Sequence, residues 1–357
     1  MSLNNKGEAG ETQLEHNVDS GTVEKPKRGP FGTFVRKWWW AILIVLAIGA
    51  LVVILPLVLV GFPRIIQDKV NKSTLSIDGI SVTNTKTDTV LVSINSTVSS
   101  SNSIPAVVEA FDAIMYLEDK LPHTTIMTLR MPETKTGLAL VNVSQEISGA
   151  SKQAFIDFNS WYLWNSSLAV TIEGETHVRV KGLKPAKVTF KKTVTLVGVN
   201  GFTGLNVTQA NINVTAVDNN FNGYADIPNP SILTFEVGNV TFGNYFEQTK
   251  IGTLFIDDMF IRPGINNVSV RATILQGPVI TAVQKKPYCD DGILPFDLLG
   301  ESVINHGQPL AYFADALALH AQSTKIRVGA ALKAAGLDIA HCKASTTSSA
   351  AAATSTA

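Results

Sequence analysis

The sequence predicts a mostly β protein on one N-terminal transmembrane helix, followed by two tandem immunoglobulin/fibronectin-like β-sandwich modules, each with a helix. Three observations lead there. Residues 38–62, WWWAILIVLAIGALVVILPLVLVGF, hold no charged residue. The chain beyond them is dominated by apolar–polar alternation of period two, the pattern of half-buried strands. Segments of that region also resemble later ones, which suggests a duplicated unit.

The apolar run comes first. Its 25 residues would rise about 37 Å as an α-helix, against a hydrocarbon core of about 30 Å. Three tryptophans stand at one end, where amphipathic rings favour the headgroup level. Pro56 lies inside the run, which a membrane helix tolerates better than an exposed one. The run begins too far in and is too long for a removable signal peptide. Lys25, Lys27, Arg28, Arg36 and Lys37 crowd the N-terminal flank, whereas Arg64, Lys69 and Lys72 on the other side are diluted by Asp68. The positive-inside rule therefore predicts a signal-anchor of type II, with residues 1–37 cytosolic and residues 63–357 lumenal or extracellular. Eight Asn-x-Ser/Thr sequons, at Asn71, Asn95, Asn142, Asn165, Asn206, Asn213, Asn239 and Asn267, all follow the run. A glycoprotein of the secretory route is expected.

The remaining chain is long enough for two ordinary domains. Charge is balanced at 29 basic and 29 acidic residues, so no basic stripe points to nucleic acid. Charged residues make up only 16%, and Val, Ile and Thr are plentiful, which favours strands. Cys289 and Cys342 are the only cysteines. Joined as a disulfide they would close a loop of about 54 residues, worth about 4 kcal/mol on a chain-entropy basis. The alternative is two free thiols. A metal site is not expected, because Cys and His at ligand spacing are lacking.

Five parts are expected. Residues 1–37 form a polar, disordered tail whose basic end, KPKRGPFGTFVRK, sets topology or rests on anionic lipid. Residues 38–62 span the membrane. The first sandwich module covers 63–183, and the second, with C-terminal helices, covers 184–342. Residues 343–357 are a disordered Ser/Thr/Ala tail with O-glycosylation acceptors. Within the modules, strands are read from Val90, Val92 and Ile94, from Val188, Phe190, Val194 and Leu196, and from Leu233, Phe235 and Val237. Val268, Val270, Ala272 and Ile274 give another. Turns are read at Asp78-Gly79, Lys184-Pro185, Asn200-Gly201, Asn222-Gly223 and Pro263-Gly264.

The repeat aligns residues 80–98 with 225–242, and 127–147 with 255–274. A helix-compatible stretch follows each, KQAFIDFNSWYLW and QPLAYFADALALHAQ. Residues 105–121 carry helical spacing, yet the repeat register assigns them to a strand, and the strand is preferred.

The runs ADIPNPS, LTFEVGNV, IGTLFIDDMFIRPGINNVSV and VRVKGLKPAKVTFKKTVTLVGVNGF resemble a fungal membrane-protein family of uncharacterised function. That family is distantly similar to late embryogenesis abundant group 2 domains, also called water-stress and hypersensitive-response domains. The resemblance extends over residues 30–340. It implies seven-stranded sandwiches with one helix each, no catalytic residues, and a place at the vacuolar membrane. The plasma membrane or another endomembrane is the alternative.

No catalytic, metal or cofactor residue is expected. Asp218, Asn220, Asn222 and Gly223 open a calcium-loop pattern, but Asn229 stands where a bidentate Glu is needed, so a plain turn is preferred. The pairs Asp257-Asp258 and Asp290-Asp291 do not converge as acid–base partners must. His306, His320 and His341 lack hydrolase spacings. Leu310, Phe313, Leu317, Ile326 and Leu332 are expected in the core, with an apolar groove for an acyl chain as the sharper reading. The expected function is non-catalytic: lipid handling or protein interaction by a membrane-anchored ectodomain. The alternative is an adaptor acting through its cytosolic tail, and a lumenal hydrolase is disfavoured.

Overall fold

The computed structural model describes residues 30–100, 105–148, 152–337 and 342. Residues 1–29 of the expected cytosolic tail, the Ser/Thr/Ala tail at 343–357, and His341 lie outside the described residues. The chain divides into two compact units, residues 1–59 and 60–357.

The first unit holds α1 (Pro30–Pro56) and the start of a π-helical turn (Leu57–Gly61). That turn directly follows Pro56, whose missing N–H interrupts the regular ladder. The long apolar helix therefore stands where the charge-free run placed it, and its apolar side chains from Trp39 on are largely exposed.

The second unit opens with α2 (Phe62–Lys72) and is otherwise mostly strand. The elements before the middle of the chain are β1 (Thr74–Thr83), β2 (Thr89–Ser99), β3 (Ala106–Val108), β4 (Phe111–Leu117), β5 (Thr125–Met131), β6 (Thr134–Lys135), β7 (Leu138–Ser148), α3 (Lys152–Trp164) and β8 (Ser167–Val180). After it come β9 (Ala186–Val197), β10 (Asn206–Ile212), β11 (Phe221–Asn229), β12 (Leu233–Phe246), β13 (Thr249–Ile261), β14 (Gly264–Ile274), α4 (Gln276–Val283), β15 (Ile293–Asn305), β16 (Gln308–Pro309), α5 (Ala311–Leu317), β17 (Gln322–Arg327) and α6 (Val328–Ala334).

Two sheets result. The larger runs β10-β11-β14-β13-β12-β1-β2-β7, with β15 also on β12 and with β16 and β17 on β15. The smaller runs β5-β4-β8-β3-β6, with β9 on β8. Alternation sets their faces: Val90, Val92 and Ile94 of β2 are buried, as are Leu233, Phe235 and Val237 of β12. Both sheets contribute to one hydrophobic cluster, together with α3 and α5. Residues 105–121 form β3 and β4, the strand reading rather than the helical one. Helix α3 coincides with KQAFIDFNSWYLW, and α5 falls within QPLAYFADALALHAQ.

The expected seam between 183 and 184 is instead the connection of β8 and β9, which pair from Ser167↔Val197 to Val178↔Ala186. Each sheet mixes strands from both sides of that point. The look-alike segments explain why. β1 and β12 pair in parallel, Ile80↔Leu233 to Val82↔Phe235, so the two similar stretches join one sheet. β12 is long enough to pair with β1 near its start and with β15 from Asn239 onward. Gly238 stands at this fork with φ +88°, and a Cβ there would lie 2.6 Å from the Ile304 carbonyl oxygen.

Turn expectations divide. Asn200-Gly201, with φ of 55° and 62°, and Gly264, with φ 97°, do turn the chain. Asp78-Gly79 lies within β1 at a register shift, and Asn222-Gly223 lies within β11. At Gly223 the reason is close approach: a Cβ would sit 2.2 Å from the Gln209 carbonyl oxygen, beside a bulge in β10.

Candidate functional site: an apolar cleft beside helix α2

Helix α2 follows the apolar run and is amphipathic, with Phe62, Ile66 and Val70 recurring every fourth residue. Ile66 is buried with Ala106, Val178, Ala186 and Val188, while Phe62 and Val70 pack on that cluster. Two polar side chains fix the helix to the free edge of β9. The Gln67 amide donates to the Thr189 carbonyl and accepts from the Thr189 N–H, both at 2.8 Å, completing a rung the sheet edge lacks. Lys192 donates to the Asn71 and Ser73 carbonyls at 2.9 and 2.5 Å, groups a helix C-terminus leaves unpaired. Burial pushes the Lys192 ammonium below its usual value.

Beside α2 the two sheets separate and leave a narrow cleft with an interior of about 70 Å³. Val98 and Val141 line it from the larger sheet, Val108, Phe111, Met131 and Phe190 from the smaller, and Val70 from α2. Lys69 and Lys135 stand at its edge, both exposed. Neither lysine is ion-paired among the described residues. An apolar interior under two unspent cations suits a chain-like apolar ligand with an anionic head.

The sequence-derived sites fall elsewhere. All eight sequon asparagines are exposed, whereas Asn159, Asn220, Asn229, Asn244 and Asn305, none in a sequon, are buried. Asn95 and Asn142 are register partners on β2 and β7. Cys289 and Cys342 are joined by a disulfide with Cα atoms 5.2 Å apart, so they offer no thiolates to a metal alongside Asp290. Asn220 is used internally, donating to the Ile274 carbonyl at 2.8 Å and accepting from the Ile274 N–H at 2.9 Å. It is therefore not free to take a calcium ion.

Asp257 forms a two-pronged pair with Arg271 at 2.8 and 3.0 Å, whose guanidinium holds its carboxyl below the usual range. Asp291 accepts from the Ile293 N–H. His306 pairs with Glu236 at 3.0 Å, and His320 stacks edge-on against Trp164. Asp257, Asp291, His306 and His320 thus each have a separate partner. Leu310, Phe313, Leu317, Ile326 and Leu332 are all buried, as core packing requires.

The NPS segment has a structural use that sequence reading only half reached. Tyr162 of α3 lies 2.8 Å from Ser231 Oγ and donates to Asn229 Oδ1 at 3.1 Å. Asn229 donates to the Leu233 carbonyl at 2.8 Å and accepts from the Ser231 N–H and hydroxyl. Burial pushes the Tyr162 phenol up, against the lowering effect of its two hydrogen bonds. Pro228 sits in β11 beyond the last β10 partner, where its missing donor costs no ladder bond.

Residues 124–244 match the family model described as a protein of unknown function (DUF3712). The matched stretch runs from the start of β5 into β12, crosses the β8–β9 connection, and includes the whole Tyr162–Asn229–Ser231 network. No curated protein matches the chain. Among solved structures, a protein from Archaeoglobus fulgidus is 5% identical, with 35% of this chain and 94% of that one covered, at TM-score 0.22. The putative ApaA protein from Bordetella pertussis is 12% identical over 36% and 94%, at TM-score 0.19. The CupB6 tip adhesin from Pseudomonas aeruginosa is 8% identical over 64% and 93%, also at 0.19. At these TM-scores the likenesses carry no argument.

Proposed function

We propose that this DUF3712-containing chain is a type II, single-pass membrane glycoprotein. Its β-rich ectodomain is non-catalytic and holds the acyl chain of an anionic lipid drawn from the bilayer that anchors it. The observation that carries the reading is the apolar cleft beside α2, the helix that starts where the membrane run ends. Lys69 and Lys135 at the mouth suit the anionic head of such a lipid, and the apolar interior suits its acyl chain. The basic flank before residue 38 and the exposure of every sequon asparagine support the orientation. The vacuolar membrane, and kinship with the late embryogenesis abundant group 2 domains, rest on the family resemblance alone.

The test is photo-crosslinking of the full chain in nanodiscs with a diazirine-bearing phosphatidic acid. Adducts are expected on peptides containing Val98, Phe111 or Met131. A Val98→Trp change, which fills the cleft from its half-buried edge, should remove them. Lys69→Glu with Lys135→Glu should weaken labelling by this lipid but not by a neutral diacylglycerol analogue. Adducts confined to α1, or unaffected by Val98→Trp, would refute the proposal.

A further inference from the structure

A second, narrow apolar pocket, with an interior of about 50 Å³, lies elsewhere on the larger sheet and shares no lining residue with the first. Phe221, Leu254 and Phe296 of the sheet face Val279 of α4 and Leu332 of α6 across it. No charged residue lines it. Its polar wall groups are mostly engaged: Asn220 is bound to the Ile274 backbone, and Gln276 donates to the Asn213 carbonyl at 3.0 Å. The exception is Asn244.

Asn244 is 3% exposed, and its Oδ1 has no hydrogen-bond partner among the described residues. It occupies an inward position of β12 between Phe242 and Phe246, where the alternation calls for another apolar side chain. Its register partners, Gly252 on β13 and Leu298 on β15, bring no polar group to it. Three other buried polar side-chain atoms lack partners, on Asn159, Gln322 and Thr324, but none of those residues lines this pocket. An unpaired amide in an apolar wall breaks the local rule without a compensating contact inside the protein, and such breaks concentrate at sites of function.

We infer that this pocket binds a neutral apolar alcohol, a single hydroxyl on a hydrocarbon body, with the hydroxyl on Asn244. A hydroxyl both donates and accepts, so it pairs with either end of the amide. A carboxylate has no hydrogen to give Oδ1, and its charge would be buried without a counter-ion. A plain alkane leaves the amide unpaired. The site is independent of the proposed lipid cleft, and either can fail without the other.

The experiment labels the full chain in nanodiscs with diazirine-bearing lauryl alcohol, lauric acid and the matching alkane. The alcohol should label peptides containing Phe221, Leu254, Val279 or Phe296 about tenfold more than the alkane or the acid, the ratio one net hydrogen bond provides. Asn244→Leu should keep the fold, with an unchanged or higher Tm, and bring alcohol labelling down to the alkane level. Val279→Trp should reduce all three. Equal labelling by the three probes, no labelling of these peptides, or an Asn244→Leu variant that still prefers the alcohol would each overturn the inference. An amide satisfied only by buried water falls under the second outcome.

Discussion

The Tyr162–Asn229–Ser231 network allows a graded prediction, because the structure shows which partners each change strands. Tyr162→Phe removes one hydroxyl. Ser231 Oγ still donates to Asn229 Oδ1 at 2.7 Å and accepts from the Leu233 N–H at 3.0 Å, and Asn229 Oδ1 keeps the Ser231 N–H at 3.1 Å. No partner is orphaned, so the cost is one net hydrogen bond, about 1 kcal/mol. Asn229→Leu takes away the donor to the Leu233 carbonyl and the acceptor for the Ser231 N–H, both buried. At about 1–3 kcal/mol for each stranded group, the sum is about 2–6 kcal/mol. For a folded unit of this size each kcal/mol lowers Tm by about 2 °C, so the two variants should differ by several degrees. Thermal melts of the full chain in one detergent, followed by near-UV circular dichroism, measure both. If Tyr162→Phe costs as much as Asn229→Leu, or if Asn229→Leu is silent, the bonding scheme is wrong.

Four further outcomes follow from the same geometry. Burial holds the Tyr162 and Tyr312 phenols above their ordinary value, so their contribution is complete below the unfolded pKa of about 10 and declines as pH rises past it. A urea midpoint that falls above pH ~10, less steeply in Tyr162→Phe, is expected, and an unchanged slope would count against it. Gly238→Ala puts a Cβ 2.6 Å from the Ile304 carbonyl oxygen at a positive φ and should cost about 2–3 kcal/mol in a chemical melt. Reduction of Cys289–Cys342, which spans 53 positions, should lower stability by about 4 kcal/mol, and a Tm that ignores reductant would contradict it. Asn95 and Asn142 face each other across β2 and β7 with Cβ atoms about 5 Å apart, so two glycans crowd one patch. Glycopeptide mass spectrometry should find both occupied less often than the product of the single occupancies, with Asn95 occupancy rising in Asn142→Gln.

Period-two alternation located β2, β9, β12 and β14 because it reports a local fact, one buried face per strand. For residues 105–121 the repeat register, not alternation, favoured a strand over the helical spacing, and β3 and β4 stand there. The partition into modules failed because strand pairing is set by distant contacts that local pattern does not encode. The likeness of residues 80–98 to 225–242 was visible, but similarity alone does not tell two separate modules from two neighbours in one sheet. Parallel pairing of β1 with β12 decides that. Glycine was misread for a related reason. Asn222-Gly223 has the composition of a turn, yet its glycine serves the close approach of β10, and only the neighbouring strand reveals this.

The two cavities show the same division from the side of function. The span announced itself through an uninterrupted charge-free run, whereas α2 beside it fell in a stretch assigned to the first sandwich module. The cleft was not legible, because its walls come from nine elements brought together only by folding, and each apolar wall residue alone reads as core. Gln67 and Lys192 give no sequence signal, yet they join α2 to the sheet edge beside the cleft, Gln67 from the helix to Thr189 of β9 and Lys192 from β9 to the carbonyls at the end of the helix. Asn244 is the opposite case. A polar residue amid the alternating Phe242 and Phe246 is readable as an anomaly from sequence, but only knowledge that its oxygen has no partner turns the anomaly into a site. Burial, pairing and exposure therefore give the asparagines contrasting uses: outward at the eight sequons, inward and bonded at Asn220 and Asn229, and inward in a pocket wall with an unpaired oxygen at Asn244.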